Sequence, residues 1–353
     1  MELPPPAQPP KSPTGWAGLG LGLAAAAGAA VGAAAWEGWR WLDERAVARD
    51  PEHEVLSDPP RGEPFEVRTA DGVRLAGEQF GPVDAPPVVL IHGWTCARRF
   101  WTYQLHALAR EHRVIAYDLR GHGQSSAHDA GDFSIDALAD DVQAVLEATV
   151  PAGRRAVLVG HSLGGMSIVA WAGRHPEQVG ERAAAAALVN LGIGDLVSES
   201  LVVRVPGALG RVKSTVGRAL LSADRELPPA TPISRRLVRY VALSQSASPA
   251  QVELTQQLVL GCRRQVRARC GRTLSQLDLR HALDSLHVPT LVLAGERDRL
   301  TPPAHAQRLA AELPQLHEHR ELPRVGHMGP LEAPQEVNAA LERLLARVRE
   351  SAA

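Results

Sequence analysis

Cysteine is nearly absent. Cys96, Cys262 and Cys270 are the only three in 353 residues. The count is odd and no CxxC pair exists, which excludes a disulfide scaffold and a zinc ribbon. Read as neighbours eight residues apart on one helix, Cys262 and Cys270 stand too far apart to bridge, so free thiols are expected. Aromatic residues are scarce too, 4% against a hydrophobic fraction of 45%, so the core must be built mainly from Leu, Val and Ala. An excess of either charge is missing: the formal net charge is −1, which leaves no global electrostatic case for nucleic acid. No internal repeat suggests a solenoid. No metal-ligand spacing and no dinucleotide motif stands out, so neither metal nor cofactor is expected.

The first part of the chain differs from the rest. Residues 1–15 are proline-rich, as in Pro4-Pro5-Pro6, and read as a disordered arm. Residues 16–36, Trp16 to Trp36, carry no charge and are mostly Ala and Gly, with Leu19, Leu21, Leu23 and Val31. Their number is about the 20 that a membrane-crossing helix needs, and Trp16, Trp36, Trp39 and Trp41 flank them as interfacial aromatics would. A single-pass anchor in the cell membrane is the expectation, with a cleaved signal peptide or a soluble arm as alternatives. Arg40, Arg45 and Arg49, against Lys11 alone, tilt the catalytic side toward the cytoplasm. Residues 37–63 read as a linker.

From Pro64 the pattern is that of a folded domain. Two alternating runs, Phe65–Thr69 and Val73–Phe80, surround the turn signal Asp71-Gly72. Unbroken apolar runs follow at Val88–Ile91, Val114–Tyr117, Ala156–Val159 and Ala185–Val189, with helical stretches between them. Ser134 is a candidate N-cap for a helix over Ile135–Thr149. This alternation indicates a mostly parallel central sheet flanked by helices. The rhythm stops over residues 191–287, which read as helices and loops. It resumes with Thr290–Ala294 and closes on a helix over Pro334–Arg349. The fold class is therefore α/β, with a core of 64–190 and 288–350 and a helical cap inserted after the sixth strand.

Four motifs carry chemistry. Gly160-His161-Ser162-Leu163-Gly164 follows a strand and opens a helix; a nucleophile on so tight a turn needs small neighbours. His92-Gly93-Trp94 ends the first apolar run. The backbone N–H groups of Trp94 and Leu163 are the candidate oxyanion donors. Asp298 follows the Thr290–Ala294 strand in Gly295-Glu296-Arg297-Asp298, with Glu296 as its nearest rival. His327, in Gly326-His327-Met328, follows the last strand and completes the order Ser, Asp, His. Asn190 ends the sixth strand, so an amide stands where an alternative acid could.

These motifs, with Asp118-Leu119-Arg120-Gly121-His122-Gly123-Gln124-Ser125, resemble the α/β-hydrolase superfamily over roughly Pro64 to Arg349. Within the superfamily the chain resembles the serine branch with a helical cap, in which esterases and lipases are the most common members. The resemblance implies the α/β-hydrolase fold and ester cleavage by a triad of Ser162, His327 and Asp298. Its expected partner is a small-molecule ester or lipid-like substrate, with membrane contact through residues 16–36. A cofactor-free haloperoxidase, a carbon–carbon hydrolase, an acyltransferase or a non-catalytic ligand receptor could occupy the same fold. In the cap, Arg263, Arg264, Arg267, Arg269 and Arg272 read either as a solvated helix face or as a contact for an anionic headgroup or substrate.

Overall fold

In a computed structural model of the chain, residues 34–126, 131–202 and 210–352 are described. The chain divides into two compact units, Met1–Ala48 and Arg49–Ala353. The described part of the first is one helix, α1, over residues 34–48. Trp36 and Trp39 meet edge to face on it at 5.7 Å between ring centroids. Arg40 donates to Glu44 one turn along at 3.4 Å.

The membrane expectation is corrected here. The proline-rich arm and all but the last three residues of the 16–36 span lie outside the described residues. Residues 34–36 open α1, which then takes in Glu37, Arg40, Asp43, Glu44 and Arg45. Among the described residues no helix is long and apolar enough to cross a membrane. Ala and Gly gain little from lipid, so an uncharged run of them is weak support for a span. Within residues 37–63, residues 37–48 belong to α1, and α2 (His53–Ser57) follows. Asp50 accepts the Ala250 N–H at 2.8 Å and Glu52 accepts the Ser248 hydroxyl at 2.9 Å, which pins the residues just ahead of α2 within the second unit.

Within Arg49–Ala353 eight strands form one sheet: β1 (Glu63–Arg68), β2 (Arg74–Phe80), β3 (Pro87–Ile91), β4 (Arg113–Tyr117), β5 (Ala156–His161), β6 (Ala183–Val189), β7 (Thr290–Gly295) and β8 (Leu316–Leu322). Their order is β1-β2-β4-β3-β5-β6-β7-β8. The β1–β2 and β2–β4 pairs are antiparallel and all the others parallel. Strands β3, β5 and β7 are buried along their whole length. That is why they read as continuous apolar runs: parallel strands here are covered on both faces. Edge strand β8 is instead charged, and its Glu318 pairs with Arg343 at 2.8 Å, which blunts an open edge.

The helices fall into two layers. On one face α4 (Ile135–Thr149), α5 (Leu163–Arg174) and α12 (Pro303–Glu312) bury Val142, Ile168, Trp171 and Leu309. On the other, α3 (Thr102–Leu108) and α14 (Pro334–Ala352) bury Leu105, Leu341 and Leu344. Short helices α6 (Pro176–Arg182) and α13 (Gly329–Glu332) lead into β6 and α14. Ser134 caps α4 as expected, its Oγ accepting the Ala137 N–H at 3.2 Å. The helical stretch after β3 is divided into a 3-10 turn, Arg98–Trp101, and α3. The Arg98 N–H is taken by Asp118 Oδ1 at 2.7 Å, which sets how the chain enters the turn.

Between β6 and β7 the chain leaves the sheet and builds the cap: α7 (Leu196–Glu199), α8 (Gly210–Leu221), α9 (Pro232–Ala242), α10 (Pro249–Gly261) and α11 (Arg264–Gln276). Thr231 and Ser248 close capping boxes on α9 and α10, each followed by Pro at the first helical position. Of the five cap arginines at 263–272, two have partners within the cap and a third reaches the core. Arg264 faces Glu226 at 3.4 Å, Arg267 donates to the Arg225 carbonyl, and Arg269 donates to the Gly131 carbonyl at 3.0 Å. The three cysteines are buried and free. Cys262 ends α10 while Cys270 lies inside α11, so they do not share one helix.

Candidate active site

Strand β5 delivers His161 and α5 starts at Leu163, leaving Ser162 on the turn with φ 49° and ψ −118°. A non-glycine residue at positive φ is strained and persists only where its surroundings hold it. The Ser162 N–H donates to the Val189 carbonyl at 2.9 Å, and the glycines around it leave no room for side chains. A Cβ on Gly164 would lie 2.2 Å from the Ile91 carbonyl oxygen, and one on Gly160 would lie 2.5 Å from the Gly165 backbone. The close strand–helix contact therefore depends on glycine at both positions.

The loop after β3 lies against this turn. A Cβ on Gly93 would come 3.1 Å from Ser162 Cβ, so the Gly93-Trp94 backbone runs beside the serine. His92 anchors that loop: its Nδ1–H donates to the Gly93 carbonyl at 2.8 Å, and its Nε2 accepts the Leu119 N–H at 3.0 Å. The Trp94 indole donates to the Arg267 carbonyl of α11 at 3.1 Å, tying the loop to the cap. Leu163, the other expected donor, is the first residue of α5, where backbone N–H groups have no helical acceptor.

His327, Asp298 and Ser162 come together although 165 residues separate the histidine from the serine. His327 Nε2 is 3.0 Å from Ser162 Oγ, and His327 Nδ1 is 2.7 Å from Asp298 Oδ2. The tautomer follows: Nδ1 carries the proton toward the carboxylate, which leaves Nε2 free to accept from the hydroxyl. Asp298 is 1% exposed. Its Oδ1 accepts the Leu300 and Thr301 N–H groups, both at 2.9 Å, and its Oδ2 accepts the Thr301 hydroxyl at 2.9 Å. Burial alone would raise this carboxyl's pKa. Neighbouring His327 and the donors from Thr301 and Asn190 overcome it and hold the value below the usual carboxylate range. The rival Glu296 is exposed, and its Oε2 accepts the Arg324 N–H at 2.7 Å, away from His327.

Further residues shape the site without a sequence signal of their own. Asn190 Nδ2 donates to Asp298 Oδ2 at 3.0 Å and to the Gly326 carbonyl at 3.1 Å. It was legible only as the end of β6. His161 Nε2–H donates to the His327 carbonyl at 2.9 Å, and burial and the neighbouring His327 push its pKa down to about 3. Glu332 accepts three backbone N–H groups, one from the cap and two from the residues flanking His327. The Asp118–Ser125 stretch closes on itself, with Asp118 Oδ2 accepting the Gln124 N–H at 3.0 Å and the Arg98 guanidinium at 2.6 Å. Among the described residues no group of three His, Cys, Asp or Glu could hold a metal ion.

The model of the alpha/beta hydrolase family matches residues 88–340. The chain belongs to this family. It is an enzyme of the α/β-hydrolase fold. Among relatives of this hydrolase, a 3-oxoadipate enol-lactonase of Acinetobacter baylyi is 28% identical over 79% of the chain and 96% of its own length. A non-heme chloroperoxidase of Streptomyces lividans is 30% identical over 70% of the chain and 87% of its length. Among solved structures, a thermophilic esterase from Thermogutta terrifontis superposes with a TM-score of 0.67 and 26% identity, covering 81% of the chain and 99% of the esterase. The hydrolase thus has esterase-like neighbours along almost their full length.

Proposed function

We propose that the chain is a serine hydrolase that cleaves carboxylic esters through an acyl-enzyme, with Ser162 as nucleophile, His327 as base and Asp298 as the acid that orients it. We assign residues 64–190 and 288–350 to the catalytic core and 191–287 to the cap. The observation that carries the reading is the continuous line from Ser162 Oγ through His327 to Asp298, at 3.0 Å and 2.7 Å, set on the strained turn.

In the first half-reaction the Ser162 proton passes to His327 Nε2 as Oγ attacks the ester carbonyl carbon. The backbone N–H groups of Trp94 and Leu163 stabilise the oxyanion. His327 then returns the proton to the departing alkoxide, which leaves as the alcohol. In the second, His327 takes a proton from water, the hydroxide attacks the acyl carbon, and the proton returns to Ser162 Oγ as the carboxylic acid leaves. Asp298 keeps the imidazole in the required tautomer and stabilises its cationic form. A small-molecule or lipid-like ester is the substrate class this chemistry fits.

The test is a fluorophosphonate probe and short-chain aryl esters. Ser162 should take up one equivalent of probe, and Ser162→Ala should lose ester turnover by several orders of magnitude while staying folded. Near wild-type turnover in that variant would sink the assignment. Similarity to the chloroperoxidase supports a second reading, in which hydrogen peroxide replaces water at the acyl-enzyme and a peracid leaves. Peroxide-dependent halide oxidation in the presence of an acyl donor, exceeding ester hydrolysis, would favour it.

A further inference from the structure

Glu332 closes α13, five residues beyond His327. Its Oε2 accepts the Ser244 N–H at 2.7 Å and the Gly326 N–H at 3.1 Å, while its Oε1 accepts the Met328 N–H at 3.1 Å. Gly326 and Met328 are the two neighbours of His327 in sequence, and the N–H of His327 itself donates to the Ala242 carbonyl at 2.9 Å. Ala242 is the last residue of α9, and Ser244 lies two residues on, so both belong to the cap. The contact is tight as well: a Cβ on Gly326 would lie 2.6 Å from Ser244 N and 2.9 Å from Glu332 Oε1.

The chemistry of the acceptor matters. Three converging N–H groups need acceptors at both ends of the side chain. A carboxylate offers lone pairs on both oxygens, whereas an amide turns a donor toward one of the three. Glu332 holds this place even though burial raises its carboxyl pKa against the pull of the three N–H groups. An apolar residue would fill the space without holding the loop, and a glutamine would hold only part of it.

We propose that Glu332 is a positioning residue for the base: it fixes the backbone on both sides of His327 and, through Ser244, couples that loop to the cap. The inference rests on His327 being the base. Displacement of the segment Ala242–Ser244, as when a substrate enters beneath the cap, is then transmitted to the distance between His327 and Ser162 through two hydrogen bonds rather than through the sheet.

The experiment uses the full chain and Glu332→Gln. Competent sites are counted with the fluorophosphonate, and turnover of an aryl acetate is expressed per competent site. The expected result is a fall in kcat of roughly 10- to 100-fold, the scale of ångström misplacement of a catalytic group, with KM changed far less. The far-downfield proton resonance of the His327–Asp298 hydrogen bond should also move or broaden. Glu332→Asp keeps the charge on a shorter arm and should recover part of kcat. Full kcat per competent site in Glu332→Gln, with only a lowered melting midpoint, would make Glu332 a purely structural residue and overturn the proposal. Should Glu332→Gln not fold, the same ratio is read on Glu332→Asp. A full kcat there overturns the proposal, and a reduced one at native circular dichroism supports it. If the wild-type chain turns over esters but Ser162 takes up no probe, the triad reading fails first and this inference falls with it.

Discussion

At the scale of single residues, the site separates two carboxylates that stand two positions apart in sequence. Asp298 is buried and meets His327 Nδ1 at 2.7 Å, whereas exposed Glu296 serves the Arg324 N–H. Asp298→Asn replaces the acceptor with an amide and disfavours the tautomer that leaves Nε2 free. It should lower kcat by roughly 10⁴-fold, the loss that the same exchange causes in a serine-protease triad. Glu296→Gln should cost far less. Turnover and active-site titration of both variants check this; reversed effects would make Glu296 the acid. The serine, the histidine and this aspartate were all legible in sequence because each sits in a short motif with its own local reason. Asn190 was not. Its two hydrogen bonds reach residues 108 and 136 positions away, and nothing in its neighbours reports them.

At the scale of elements, the elbow depends on how closely α5 approaches β3. A Cβ on Gly164 would stand 2.2 Å from the Ile91 carbonyl and 2.6 Å from that of His92. Both are backbone atoms of a central strand and its loop, so neither can rotate away. Gly164→Ala should therefore push α5 off the sheet. The expected cost is about 1–3 kcal/mol, typical of overpacking, with a larger proportional loss of turnover because Ser162 moves with the helix. Urea unfolding and ester turnover measured on the same preparation check both parts. Unchanged stability and rate would mean that the elbow is looser than the contact distances imply. The strands and the capped α4 followed from periodicity and turn chemistry. The cap was read only as helices and loops, and no local feature states what its helices rest on.

At the scale of the whole molecule, buried histidines make stability depend on pH. His122 is pushed down to about 4 by burial, and His161 to about 3 by burial and by His327. Both are neutral in the folded chain at pH 7, whereas in the unfolded chain they titrate near the ordinary value of about 6.5. Between these limits the unfolded state binds more protons. Stability should therefore fall as pH drops from about 6.5 toward 4, by up to roughly 1.4 kcal/mol per pH unit for each histidine. Urea midpoints at about pH 7.5 and about pH 5 measure the slope. A flat profile would contradict it, and His122→Asn should reduce it.

The sequence by itself determined what depends on near neighbours. Gly160 to Gly164 demand a tight turn after a strand, Ser134 starts a helix, unbroken Val, Leu and Ala runs demand a sheet covered on both faces, and Ser162, Asp298 and His327 follow one another in the order an α/β-hydrolase triad takes. Hydropathy alone did not determine the role of residues 16–36, because Ala and Gly contribute too little transfer energy for an uncharged run to imply a span. Only the tertiary structure decided which groups surround the reacting ones: Asn190 and Thr301 on Asp298, His161 on the His327 carbonyl, and Glu332 between the base loop and the cap. Except for the short links from Thr301 and Glu332 and the Glu332 bond to the cap, these contacts join strand ends and loops that are adjacent only once the parallel sheet has formed. Their hydrogen bonds follow from the register of β5, β6 and β7 rather than from any local pattern.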